Sequence, residues 1–373
     1  MTELGARPPR RARLTLRDLA ASLGVSKTTV SNAFSRPDQL SAELRARVLE
    51  AARTAGYAGP DAVARMLRTR RAGAVGLILP ESLPFALDDP TTSELIRGIA
   101  DACEERRLGL LVVPGALHAD PRAIAGVAVD GFIAYSLPRD AVGLRTALGR
   151  GLPLVVVDQP RLAGVTTVAV DDRGGAREAA QHLLALGHRR FGIVSLAFHP
   201  DGYTGSSETS RMASSAFDVP AERLRGYFDA LAEAGIAPAG VPVFECAQSN
   251  EELGARAGRH LFESAHRPTA VLAMSDRLAI GVIAAARSAG LAVPADVSVV
   301  GFDDIPAAGH SRPALTTVRQ PLRLKGYAAA RLVLDAPERA VLPDASGPGS
   351  DEEELYLPVE LVTRRSTAAP ASV

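Results

Sequence analysis

The 373-residue chain has no tryptophan, two cysteines and only two lysines among its 42 basic residues. Two cysteines, Cys103 and Cys246, cannot build a disulfide framework or a tetrahedral metal site unaided. A reducing setting is therefore expected, and no metal or cofactor. No run of 18 uncharged apolar residues occurs, which excludes a membrane-spanning helix. Met1 to Arg13 carries Arg7, Arg10, Arg11 and Arg13 with no apolar core behind them, so it does not read as a secretory signal. A cytoplasmic location is the expectation. Also missing are a G-x-S-x-G elbow, a G-x-x-x-x-G-K-[ST] loop, a G-x-G-x-x-G fingerprint and an H-E-x-x-H pair. No enzyme class is suggested.

What is present is asymmetric. The formal net charge is zero, yet residues 1–71 carry fourteen basic and six acidic side chains. The remainder holds 28 basic and 36 acidic ones. A basic head on an acidic body points to a nucleic-acid-binding module joined to something else.

The head reads as three short helices. Thr15 can cap the first, with Asp18 in the capping-box position and Leu16, Leu19, Ala20 and Leu23 on one stripe. Gly24 breaks it. Ser26 caps a second helix, from Lys27 to about Phe34, with Val30, Ala33 and Phe34 inward and Lys27, Thr28, Ser31 and Asn32 outward. Ser41 caps a third, cored by Leu44, Val48, Leu49 and Ala52, and Gly56 ends it. Two helices about a tight glycine turn, braced by a third, make a helix-turn-helix. On its exposed face Lys27 can reach guanine edges and Asn32 adenine edges. A small three-helix bundle without a DNA role is the alternative, which the charge and the polar face disfavour.

From residue 74 short apolar runs alternate with amphipathic helices. Ala74–Leu79, Leu110–Val113, Gly131–Tyr135, Leu154–Val157 and Thr167–Val170 read as strands of one set, and Phe191–Val194, Thr269–Met274 and Val297–Phe302 as strands of a second. Two βα series in tandem predict two α/β lobes with parallel sheets, and ligands bind beyond the carboxyl ends of such strands. Residues 199–219, rich in Ser and Gly, read either as a flexible lid or as a disordered insertion.

Leu14 to Asn32, Gly56-Tyr57 and Pro60 to Thr69 resemble the head of the lactose-repressor (LacI) family of bacterial transcription regulators. The likeness continues through His182–Arg190, Ala273–Asp276, Val299–Ile305 and Pro313–Pro321, and covers about residues 14–365. It implies an all-α helix-turn-helix head plus an α/β periplasmic-binding-protein-like body of two Rossmann-like lobes. The implied divisions are a DNA-binding domain at 1–57, a hinge at 58–72, and an effector-binding and dimerisation domain at 73–366. Within the last, the proximal lobe takes 73–187 and 318–345, and the distal lobe 188–316 and 352–366.

By the same resemblance Lys27, Thr28 and Asn32 read bases, and Thr15, Ser26, Ser31 and Ser41 hold phosphates. Residues 62–68 form a hinge helix that folds on DNA, and Leu67 wedges into a minor-groove step. Ala58-Gly59 stands where one residue is usual, and Asp61 replaces the usual Asn. In the body, Arg223 and Asp303 would clamp an effector, with Ser275 and Asp276 at a strand mouth. Thr91 and Thr92 stand where aromatic residues are common. Without tryptophan, a stacking ring has to come from Phe85, Phe198 or Tyr203. The implied function is a ligand-controlled repressor that binds a pseudo-palindromic double-stranded operator as a homodimer, with a sugar-like or nucleoside effector between the lobes. The residues alone leave open a cytoplasmic solute-binding protein or a sugar-modifying enzyme on the same scaffold.

Overall fold

The computed structural model describes residues 14–57, 59, 66, 71–115, 120–336 and 354–371. The predicted hinge helix at 62–68, with Leu67, and the arginine-rich arm before Leu14 lie outside the described residues. So do residues 337–353 at the expected lobe boundaries. Two compact units emerge, Met1–Ala72 and Gly73–Val373.

The first unit contains α1 (Leu16–Leu23), α2 (Lys27–Ser35) and α3 (Ala42–Thr54). Thr15 and Asp18 cap each other reciprocally, and Gly24 ends α1 in the left-handed conformation at φ 65°. The Ser26 and Ser41 hydroxyls accept from the Thr29 and Leu44 amides at 3.0 and 3.2 Å. These caps satisfy helix-end donors and set the angles at which the helices meet. Leu19, Ala20, Val30, Ala33, Val48 and Ala52 form the buried core.

The second unit is built on two sheets. Its first half supplies β1 (Ala74–Leu79), α4 (Leu83–Asp88), α5 (Pro90–Glu105), β2 (Gly109–Pro114), α6 (Pro121–Ala125), β3 (Gly131–Tyr135), α7 (Val142–Leu148), β4 (Leu154–Val157) and β5 (Thr167–Val170). Then come α8 (Asp172–Ala185), β6 (Phe191–Ser195), β7 (Gly205–Ser206), α9 (Thr209–Ala213), α10 (Asp218–Glu233), β8 (Val243–Glu245), α11 (Glu251–Phe262), β9 (Ala270–Ala273) and α12 (Asp276–Ser288). The series ends with β10 (Ser298–Asp303), α13 (Pro306–His310), β11 (Thr316–Arg319), α14 (Leu322–Asp335), β12 (Glu354–Leu357) and β13 (Glu360–Val362). Sheet one has the order β12-β5-β4-β3-β1-β2 and is parallel throughout. Sheet two runs β13-β11-β10-β9-β6-β8-β7, with its two edge strands antiparallel.

Two expected lobe boundaries are displaced. Helix α8 follows β5 but packs on the second sheet: Ala176, Ala179, Ala180 and Leu183 join Phe191, Phe302 and Val318 in one core. The first crossing therefore falls near Asp171 rather than 187. At the other end, β12 pairs with β5 in register Glu354↔Thr167 to Leu357↔Val170. Residues 354–357 thus belong to the first sheet, and only β13, paired to β11, belongs to the second. The remaining crossing lies at Gln320-Pro321, between β11 of sheet two and α14, which packs on sheet one with Ala329, Ala330 and Val333. Helices α5 and α14 touch through glycines. A Cβ on Gly98 would sit 1.8 Å from the Arg323 carbonyl oxygen, and one on Gly326 2.1 Å from that of Leu95.

Candidate functional site

In the head, Lys27 and Thr28 are exposed at the start of α2, and Thr15, Ser26 and Ser41 are exposed too. Ser31 and Asn32 are only half-exposed. The Asn32 amide nitrogen donates to Gln39 Oε1 at 3.2 Å, a contact that pre-orients it. Thr15, Ser26 and Ser41 each spend a hydroxyl lone pair on a helix cap.

In the body, the carboxyl ends of both sheets face a cavity of about 360 Å³. Glu81 follows β1, Tyr135 ends β3, Asp158 and Gln159 follow β4, and these line it from the first lobe. Ser249 follows β8, Ser275 follows β9 and Asp303 ends β10 on the other side. Three lining residues that are not glycine occupy positive φ: Ser136 at 49°, Asp158 at 66° and Asp303 at 124°. Backbone held in sparsely populated conformations costs about 1–3 kcal/mol per residue and clusters where groups must be aimed at a ligand.

Arg223, on α10, is 4 % exposed. Its Nε donates to Asp172 Oδ1 at 2.7 Å and one Nη to the Met274 carbonyl, while Asp303 Oδ1 lies 3.8 Å away. Its guanidinium stacks 3.6 Å over the Phe302 ring. Asp303 Oδ1 accepts from the Gln320 amide nitrogen at 2.6 Å. Burial pushes the Asp303 carboxyl up to about 7, against the pull of Arg223. Glu81 is also pushed to about 7, by burial and by the neighbouring Asp89, with Arg277 opposing.

These raised values carry a sign. An aspartate raised from an unfolded value of about 3.9 favours the folded state fully below about pH 4, and that stability is lost as the pH rises to about 7. The body is therefore expected to melt at a higher temperature at pH 5 than at pH 8. Asp303→Asn should flatten the dependence, as read by calorimetric melting at both pH values. An equally steep profile in the variant would mean that Asp303 does not titrate in this range.

Ser275 caps α12 and shares a hydrogen bond with Ser249 Oγ at 2.7 Å at the cavity wall. Asp276 is a correction. Expected at the mouth of the cleft, it is wholly buried behind it. Its Oδ2 accepts from the Ile305 amide at 2.8 Å and its Oδ1 from the Thr317 hydroxyl, so it ties the start of α12 to the end of β10 and to β11, and it is not among the residues that line the cavity.

Thr91 and Thr92 line the cavity from the first turn of α5. Both hydroxyls donate to Asp89, the cap of that helix. Across the mouth, Arg277 of the second lobe lies 3.4 Å from Asp89 of the first, with its guanidinium 5.7 Å from the Phe85 ring centre. Of the three candidate rings only Phe85 lines the cavity, joined by Phe217. Phe198 is sealed in the core, and Tyr203 lies under Arg211.

The 199–219 segment is neither a loose lid nor a structureless insertion. Arg211 ties Asp201 to the buried Glu245, which also accepts from Ser207 at 2.8 Å and from the Phe198 amide at 2.8 Å. The residues that sequence reasoning missed, Glu81, Tyr135, Asp158, Gln159 and Gln320, share a signal. Each stands at or just past the end of a buried strand, where a parallel sheet presents its ligand groups.

The comparisons agree with this architecture. Residues 15–59 match the pattern described as bacterial regulatory proteins, lacI family, and residues 180–367 a periplasmic binding protein-like domain. An HTH-type transcriptional regulator of Mycobacterium tuberculosis is 42% identical over 98% of this chain and 99% of its own. A solved transcriptional regulator CelR–cellobiose complex is 29% identical, covers 95% of this chain and 100% of its own, and has a TM-score of 0.65. A lac repressor dimer bound to operator and the anti-inducer ONPF is 25% identical, covers 96% and 100%, and has a TM-score of 0.75. Head, two-lobed body and near-full-length identity lead to one assignment: the chain belongs to the lacI family of bacterial regulatory proteins and is a DNA-binding transcriptional regulator.

Proposed function

We propose that this regulator is a repressor. Acting in the cytoplasm as a homodimer, it binds a pseudo-palindromic operator with an affinity set by a sugar-like or nucleoside metabolite held between the lobes of the body. It is not an enzyme. The observation that carries the reading is convergence. Asp158 from one lobe, and Asp303 with Arg223 from the other, face a single cavity of a size suited to a small metabolite. The cellobiose-bound relative and the operator-bound dimer support it. Arg223, Asp303, Ser275, Thr91 and Thr92 are proposed effector contacts, joined by Asp158 and Gln320. A dimer follows because one small helix-turn-helix reads only a half-site. Residues 1–57 form the reading head and 58–72 the hinge. Residues 73–366 form the effector body, with its lobe boundaries moved to the crossings near 171, 320 and 358.

On the DNA side, Lys27, Thr28 and Asn32 read bases, Thr15, Ser26, Ser31 and Ser41 hold phosphates, and Leu67 is the wedge. Asn32→Ala is expected to cost about 1–3 kcal/mol on the operator and little on random DNA. Leu67→Ala is expected to weaken operator binding while leaving ligand affinity unchanged, because a wedge acts only on bent DNA. Fluorescence anisotropy on operator and scrambled duplexes measures both. Equal losses on the two duplexes for Asn32→Ala would remove it from base reading. A wild type whose operator affinity responds to no metabolite would leave the body as a dimerisation platform.

A further inference from the structure

Of the chain's two lysines, Lys27 is exposed on α2, and Lys325 is 1 % exposed inside the body. Lys325 stands in the first turn of α14, next to the glycine contact that seats this helix on α5. It is not among the cavity-lining residues. Its Nζ donates to Asp158 Oδ1 at 2.6 Å and to Gln320 Oε1 at 2.6 Å.

An ammonium group only donates, so the oxygen of the Gln320 amide must face it. The amide nitrogen is thereby turned toward Asp303, whose Oδ1 it meets at 2.6 Å. Asp158 belongs to the first lobe and Asp303 to the second, while Gln320 lies at the crossing between them. One buried cation thus fixes hydrogen-bonding groups on both walls of the cleft. The remaining charge on those walls is acidic. Glu81, Asp89, Asp158 and Asp303 line the cavity, and the one arginine among its described lining residues, Arg223, is already shared among Asp172, the Met274 carbonyl and Asp303.

We propose that Lys325 is a specificity-setting positioning residue: it holds Asp158 and the Gln320–Asp303 pair as acceptors for the hydroxyls of an uncharged polyhydroxylated ligand, and the acidic wall turns away phosphorylated counterparts. This rests on reading the cleft as the effector site. Each acceptor is anchored from behind, so ligand hydroxyls meet oriented oxygens rather than side chains that must first be ordered. A phosphate in the same place would face four carboxyl groups, of which Glu81 and Asp303, raised to about 7, are only part-ionised near neutrality, with no uncommitted cation among the described lining residues.

The test uses the full-length protein, with ribose against ribose 5-phosphate and glucose against glucose 6-phosphate as probes, by thermal shift and titration calorimetry. The wild type is expected to prefer an uncharged member over its phosphate by about a hundredfold, the effect of like charges brought together. A phosphate that binds as tightly overturns the ligand class. Lys325→Met strands the buried Asp158 carboxylate and can prevent folding, so Asp158→Asn/Lys325→Met, which removes both charges, is compared with Asp158→Asn alone. The double variant is expected to bind the sugar about tenfold more weakly than the single one, because the Gln320 amide is no longer fixed. Equal affinities overturn the relay.

A readout free of ligand is the carboxyl carbon-13 titration of Asp303, identified by its loss in Asp303→Asn. The ionisable groups around this carboxyl are Arg223 and Tyr227 on α10, Asp172 on α8, Asp89 capping α5, Lys325 on α14, Tyr135 on β3, Asp276 on α12 and the adjacent Asp304. Lys325 lowers it, so its midpoint is expected to move up when Lys325 is replaced, in the double variant relative to Asp158→Asn. An unmoved midpoint in a folded protein overturns the role of Lys325, whatever binds. If neither sugar nor phosphate raises the melting temperature, the sugar reading fails, and the titration still decides the lysine.

Discussion

Replacing Arg223 by methionine is expected to abolish the ligand response and to lower the stability of the body by about 3–5 kcal/mol, the usual result of removing one partner from a buried charge cluster. Both losses have one cause. The guanidinium binds Asp172, reaches the Met274 carbonyl, faces Asp303 and lies on Phe302, so its removal strands two buried carboxylates and uncovers a ring. The head is a separate compact unit with its own core, so its fold should persist. Denaturant unfolding gives the first quantity, and operator titration with and without ligand gives the second. A stable variant that no longer responds would make Arg223 a ligand contact alone. A destabilised variant that still responds would make it an internal anchor of the second lobe alone.

Asp276→Ala is expected to show a different balance, losing about 2–5 kcal/mol of stability while ligand affinity in the folded protein stays nearly constant. The substitution strands the Ile305 amide and the Thr317 hydroxyl, each costing about 1–3 kcal/mol when left buried and unpaired. The structure also makes room for this carboxylate: a Cβ at Gly301, in β10, would fall 2.3 Å from Asp276 Oδ1. Collapse of ligand affinity with unchanged melting would restore the residue to the cleft.

Arg223 and Asp276 show where sequence reading succeeds and where it stops. Local rules made the head legible, because Thr15, Ser26, Ser41 and Gly24 act within three or four residues of themselves. Alternating strand and helix patterns gave the two-lobed body, for the same reason. Motif likeness brought Arg223, Ser275 and Asp303 to the cavity but could not tell Ser275 from its neighbour. Which of two adjacent residues faces a cleft depends on the strand's register and on who waits behind it. Helix α8 and strand β12 lie in the opposite lobes to those the resemblance implies, because partner choice across a sheet is a long-range event, invisible to periodicity. Lys325 is not legible in the sequence, because a lysine in an amphipathic helix ordinarily marks the wet side. Here its stem runs inward, to Asp158 and Gln320.

The crossings have a consequence for biosynthesis. Strands β12 and β13 stand two residues apart in the chain and complete opposite sheets, so each lobe receives an edge strand only after residue 353 has been made. A ribosome releasing the chain from its N-terminus can let the head fold early, since its core is drawn from residues 16–57 alone. The cleft is assembled late: Gln320 and Lys325 arrive after both of its walls, and the β12–β13 strap after them. A nascent regulator can thus hold a folded reading head well before it holds a site able to govern it.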